Sequence, residues 1–130
     1  MSEEVVSIPA SASLDQAAET MAAHDVGFLV VTEDGEATGA LTDRALALSL
    51  SEQVIPESTT VSELATDDLV TIDRDMDVLR VLEKMKLDEV RRVVTVDDDG
   101  EPTSVVSLDD VLVLLGEELG DVADLLEAQV

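Results

Sequence analysis

Six of the seven basic residues in this chain of 130, Arg74, Arg80, Lys84, Lys86, Arg91 and Arg92, fall between positions 74 and 92; the seventh is Arg44. The formal charge is -24, with 31 acidic residues, so a phosphate-bearing ligand would need these cations, because acid dominates every other stretch. Ser107 and Asp110 make a second pattern. A hydroxyl followed three residues later by a carboxylate, just ahead of an apolar run, is spaced to open a helix and satisfy its orphan amides. The same helix start, with its free N–H groups and dipole, also favours an anion, so the pair reads first as a cap and second as a phosphate subsite. Arg91 and Arg92 also have two readings. They are phosphate contacts, or they are surface partners of Asp88, Glu89 or the Asp97-Asp98-Asp99 turn, where ion pairs contribute little. Arg80 and Lys84, with acids beside them, read as a solvated helix face.

Little else in the sequence could do chemistry. There is no cysteine, no second histidine to join His24, no P-loop and no nucleophile elbow, and the carboxylates are too numerous to single out a catalytic pair. His24 ends a helical stretch, where the dipole favours a cation. Consecutive Asp side chains on a hairpin diverge, so the run 97–99 reads as solvation and not as a metal site. Met21 and Met85 read as core. No enzyme activity, catalytic residue or metal ligand is expected.

The charge balance excludes general nucleic-acid binding, which requires clustered Lys and Arg to displace counterions. A hydrophobic content of 45% and a mean hydropathy of +0.19 exclude the disordered acidic class. Phe28 is the only aromatic residue, so Val, Leu, Ile, Ala and Met must fill the core. With no cysteine, no charged leader followed by an apolar run and no apolar span of about 20 residues, a cytoplasmic protein without membrane contact is expected. Asp outnumbers Glu, and Lys84 and Lys86 are the only lysines. This resembles proteins of salt-accumulating archaea, in which molar salt shortens the Debye length to about 3 Å and screens self-repulsion.

The elements that must position these residues come in two copies. Val5-Val6-Ser7-Ile8 matches Leu69-Val70-Thr71-Ile72 at an offset of 64, as do Met21 with Met85 and Val26 with Val90. Past the acidic turn the offset is 65, pairing Gly35 with Gly100 and Leu41-Thr42 with Val106-Ser107. Each unit predicts a short strand (5–8; 69–72), a helix, two strands joined by an acidic-Gly hairpin (28–32 with 37–41; 92–96 with 103–106), and a second helix from Thr42 or Ser107. Ser13 with Gln16 is spaced as a capping box, and Asp75 or Asp77 caps the equivalent helix. Thr60 and Glu63 cap a short turn, and the last helix either runs to Val130 or breaks at Gly116 or Gly120. The expected organisation is repeat one over 1–50, a linker and short helix over 51–64, and repeat two with its C-terminal helix over 65–130. One three-stranded sheet cannot bury both faces; two packed together can, with a pseudo-two-fold axis and a cleft on either side.

This duplicated β-α-β-β-α order, with Arg91-Arg92-Val93-Val94 opening a strand and Val105-Val106-Ser107-Leu108-Asp109-Asp110 opening a helix, resembles the cystathionine-β-synthase (CBS) domain pair, or Bateman module. The resemblance covers nearly the whole chain, and the order of elements carries most of it. It implies an α/β (α+β) fold of tandem repeats packed sheet to sheet, binding AMP, ADP, ATP or an S-adenosyl compound between the repeats. No cofactor is required, and a partner protein of unknown identity is regulated. In the family's pattern Asp110 accepts the ribose hydroxyls, and Ser107 with Arg91 and Arg92 meets phosphate. Arg44 reaches in from repeat one, and Val6, Gly27, Phe28 and Val105 surround the base. Repeat one departs from the pattern: Gly39-Ala40-Leu41-Thr42-Asp43-Arg44-Ala45 has Ala45 where the ribose acceptor belongs, leaving a degenerate second site at Thr42, Asp43 and Ile72. Ser104 stands where the family usually has Gly. The resemblance also implies homodimers, flat discs joined through the helices. The alternative function is therefore a ligand-independent interaction module, built on the helices from Thr42 and Leu108.

Overall fold

Alternation within the strands shows how so short a chain makes three cores. In the computed structural model, which describes residues 5–66 and 69–128, β2 (Phe28–Glu33) sends Leu29 and Val31 toward the helices of its own repeat and Val30 to the opposite face. Strand β5 (Arg92–Val96) does the same with Val93 and Val94. Both faces of each sheet are covered, which is why the strands read as unbroken apolar runs.

Each repeat has one topology. Strand β1 (Ser7–Pro9) pairs parallel with β2, which pairs antiparallel with β3 (Glu36–Thr42). In repeat two, β4 (Thr71–Asp73) pairs parallel with β5, and β5 antiparallel with β6 (Pro102–Ser107). The crossover helices are α1 (Leu14–His24) and α4 (Val78–Asp88), and the closing helices are α2 (Asp43–Ser49) and α5 (Leu108–Ala128). Between the repeats lie a 3-10 turn, Leu50–Glu52, and α3 (Val61–Leu64).

Local chemistry sets the helix ends. Ser13 and Gln16 form a full capping box on α1, and Asp77, not Asp75, caps α4 by accepting from the Leu79 amide at 3.1 Å. Thr42 caps α2 through the Ala45 amide at 3.1 Å, and Thr60 with Glu63 caps α3. Helices α1 and α4 stop alike, at Asp25 and Glu89 in the left-handed region with φ 53° and 55°. At the hairpin tips Gly35 and Gly100 take φ 85° and 82°, which a side chain would resist. Helix α5 does not break at its glycines and continues to Ala128; residues 129–130 lie outside the described residues.

The two sheets meet on Val30, Val94 and Val105, with Val5, Phe28, Ala37, Leu69 and Val96 packed around them. Hydrogen bonds tie the repeats as well. The Ala37 amide donates to the Gly100 carbonyl at 3.1 Å; the equivalent donor in repeat two would be Pro102, which has no N–H. Ala40 and Thr66 exchange two bonds of 3.1 and 2.9 Å, laying the inter-repeat segment against β3. Gly39 permits that approach, since a Cβ there would stand 2.5 Å from the Thr66 carbonyl oxygen. Among the described residues no helix is long and apolar enough to cross a membrane.

Candidate functional site

The ends of β2 and β5 meet at the pseudo-two-fold axis, and the pair formed there sets the site. Phe28 and Arg92 hold equivalent places, opposite Thr42 and Ser107 respectively, and the Arg92 guanidinium lies 4.7 Å from the Phe28 ring centroid. Such stacking favours a cation over the ring face and leaves its N–H edge free.

A cleft opens on either side of this pair. The first has a volume of about 630 Å3, and its walls come from Val90, Arg91, Arg92, Ser107, Leu108 and Asp109 of repeat two and Phe28, Ala40 and Thr42 of repeat one. Thr66, Leu69 and Val70, on the approach to β4, close it. The second, of about 830 Å3, is lined by the equivalent elements of repeat one, Val26, Gly27, Phe28, Thr42, Asp43 and Arg44, with Asp25, Arg92 and Val105. Phe28, Thr42 and Arg92 face both.

The first cleft is the more cationic of the two at its centre. Arg91 and Arg92 are exposed, and neither forms an ion pair with any described residue; the ion pair found among those residues joins Lys84 to Asp88 at 3.5 Å on α4. Ser107 stands at the start of α5, where the Arg91 carbonyl accepts from the Leu108 amide at 2.7 Å and holds the helix against β5. The equivalent bond in repeat one runs from the Asp43 amide to the Gly27 carbonyl at 2.9 Å.

The structure distributes the sequence-derived candidates over several places. Ser107, Arg91, Arg92 and Phe28 line the first cleft together. Arg44, Gly27, Val105, Thr42 and Asp43 line the second, with only Thr42 of these reaching the first as well. Asp110 lines neither cleft. Its carboxylate accepts from the Ser107 amide at 3.1 Å while the Ser107 hydroxyl accepts from the Asp110 amide at 3.2 Å, a reciprocal cap. Beside that cap it borders a smaller hollow of about 170 Å3, together with Ile72, Arg74 and Thr95. Val6 is buried in the core of repeat one, and Ile72 in that of repeat two. Thr66, Leu69, Val70 and Asp109 are cleft residues that sequence reasoning did not single out; Gly39, which lets the inter-repeat segment approach, was the available signal.

Ser104 makes a hydroxyl contact with Thr95 at 2.5 Å, and Thr95 also meets Thr103 at 2.6 Å, so the buried Thr95 hydroxyl is satisfied by its neighbours. Asp97 accepts from the Asp99 and Glu101 amides, both at 3.0 Å, which gives that carboxylate a turn-forming role. Among the described residues no group of three His, Asp or Glu side chains converges to hold a metal ion.

A duplicated three-stranded unit with clefts at the repeat junction defines a CBS pair, and the comparisons agree. The chain matches the CBS domain over residues 1–52 and again over 55–117, and it belongs to that family. It is 31% identical over 113 residues to the CBS domain-containing protein YhcV of Bacillus subtilis, covering 87% of this chain and 80% of that protein. Among solved structures it is similar to Hypoxic Response Protein I with two coordinated zinc ions, at 28% identity and a TM-score of 0.71, covering 86% of this chain and 92% of the other. It shares its fold with CBS domain protein PAE2072 from Pyrobaculum aerophilum, complexed with AMP: 22% identity, TM-score 0.72, 90% of this chain and 95% of that one.

Proposed function

We propose that the chain is a non-catalytic, cytoplasmic regulatory module that senses an adenosine-containing ligand, an adenine nucleotide or S-adenosyl compound, in the first cleft. The observation that carries this reading is the pair of guanidinia Arg91 and Arg92, which have no ion-pair partner among the described residues, beside a helix start in a protein of charge -24. Solvated phosphate gains most where two planar forks and a hydroxyl converge. Phe28, Ala40, Leu69, Val70 and Leu108 give the same cleft an apolar wall suited to a base. Asp109 already faces the cleft, whereas Asp110 reaches a ribose only by releasing the Ser107 amide. The AMP bound to the Pyrobaculum relative supports the ligand class.

Calorimetric titration of AMP, ATP and S-adenosylmethionine in molar salt tests the reading. Saturable binding by at least one, weakened in Asp110→Ala, is expected; no heat from any of the three rejects it. Unchanged affinity in Asp110→Ala would assign the ribose to Asp109 instead.

Exposed Leu48 and Leu50 at the end of α2, with Leu112 and Val113 on the first turns of α5, favour a second element of the reading. Homodimerisation through these helices would cover them and give a regulated partner protein a symmetric surface.

A further inference from the structure

Helix α5 outruns the domain that it belongs to. Over its first two turns Leu108, Val111 and Leu115 pack against the core of repeat two, and from Gly116 to Ala128 every residue is exposed. The apolar line nevertheless continues. Leu108, Leu112, Leu115, Leu119, Val122 and Leu126 follow one another at steps of four, three, four, three and four, which is the a/d repeat of a coiled coil. Leu112, Leu119, Val122 and Leu126 are 54–70% exposed, and Leu125 beside them is 61% exposed.

The charges on the helix avoid that line. Asp110, Glu117, Asp121, Asp124 and Glu127 fall on the outer b, c and f positions; Asp109, at e, lines the first cleft, and from Gly116 onward Glu118 alone flanks the seam. The e positions opposite it are Gly116 and Ala123, and a Cβ built on Gly116 would meet nothing within 4 Å. A mid-helix glycine with open space around it disfavours the helix in isolation, and a free arm of about a dozen residues is too short to persist in water without tertiary packing.

From this pattern we infer that the distal half of α5 is an oligomerisation arm, and that its occupant is the same arm of a second copy, in a parallel two-stranded coiled coil. The seam is apolar and self-complementary, so it needs no differently charged partner. In a parallel pair Glu118, at g, faces Ala123 of the other copy, so no like charges meet across the seam, and Leu119 and Leu126 each face their own counterpart. Two arms side by side over four turns bury on the order of 1,000 Å2 in total, the lower limit for a specific interface. The arm, residues 116–128, does not include Leu48, Leu50, Leu112 or Val113, so changes at Leu119 and Leu126 leave that surface and the clefts intact.

The chain contains no cysteine, so single substitutions report the geometry directly. In molar salt the full chain should sediment as a dimer. Leu119→Cys and Leu126→Cys should each form intermolecular disulfides in high yield, and Glu117→Cys, on the outer face, at least tenfold less. Leu119→Asp with Leu126→Asp should raise the dimer dissociation constant at least tenfold while leaving the far-ultraviolet spectrum of the repeats unchanged. A monomeric wild type overturns the inference, as does a dimer insensitive to the double aspartate variant. Equal linkage at 117 and 119, or linkage only between cysteines at 115 and 119, overturns the parallel register.

Discussion

The two clefts are built from the same elements, yet several pairs of equivalent wall positions differ in charge, while Val26 and Val90, Thr42 and Ser107, and Ala40 and Val105 stay uncharged in both. Arg91 of the first corresponds to Gly27 of the second, Leu108 to Asp43 and Asp109 to Arg44. Asp43 occupies the space that Arg91 would need: a Cβ on Gly27 would lie 2.6 Å from an Asp43 carboxylate oxygen. The second cleft is larger, and it sets Asp25 and Asp43 against Arg44 and Arg92. The first sets Asp109 against Arg91 and Arg92. Backbone duplication fixes where a ligand could sit, and three or four side chains decide whether an anion would stay.

Substitutions at these positions break or sharpen the contrast. Arg92→Ala should have the largest effect, lowering nucleotide affinity by about a hundredfold, because a charge-assisted contact is worth up to about 3 kcal/mol and this residue faces both clefts. Calorimetry reads the loss. Next comes Gly39→Val, whose side chain would collide with the Thr66 carbonyl and detach the segment that closes only the first cleft. We expect it to lower stability by about 2 kcal/mol in chemical denaturation and to weaken binding in parallel. Arg91→Gly converts the first cleft toward the second at one position and should cost about tenfold in affinity, with stability unchanged. The smallest effect is a gain: Ala45→Asp restores a carboxylate to repeat one, and a nuclear magnetic resonance titration should detect a few-fold stronger second event.

The order of elements was legible in the sequence because both repeats obey the same local rules. Ser13, Thr42, Thr60 and Asp77 cap the helices that they were expected to open, and the acidic-Gly turns close the hairpins at Gly35 and Gly100. The first strand of each unit forms later than its apolar run suggests, at Ser7–Pro9 and Thr71–Asp73. Val5 and Leu69 pack instead between the sheets, a tertiary role that periodicity does not reveal.

The site was legible only in part. Clustered arginines and the Ser107 cap point to the first cleft, since cations gathered in one stretch stand out in so acidic a chain. What the sequence mixed together was two clefts related by the pseudo-two-fold axis. Arg44, Gly27 and Val105 belong to the one and Arg91 and Ser107 to the other, a division set by the sheet-to-sheet crossing and not by spacing along the chain. Thr66 escaped notice because its contact shows only once it is laid against β3, and Leu69 and Val70 because they were read as strand residues and not as cleft walls.

One experiment bears most directly on the unequal clefts. AMP, ATP and S-adenosylmethionine are titrated calorimetrically, in molar salt, into the wild type, Arg91→Gly and Arg44→Ala. The structure leads us to expect one dominant site per chain for at least one of these ligands, weakened about tenfold by Arg91→Gly and little changed by Arg44→Ala. Two equal sites, or a dominant site lost with Arg44 and kept without Arg91, would contradict the account.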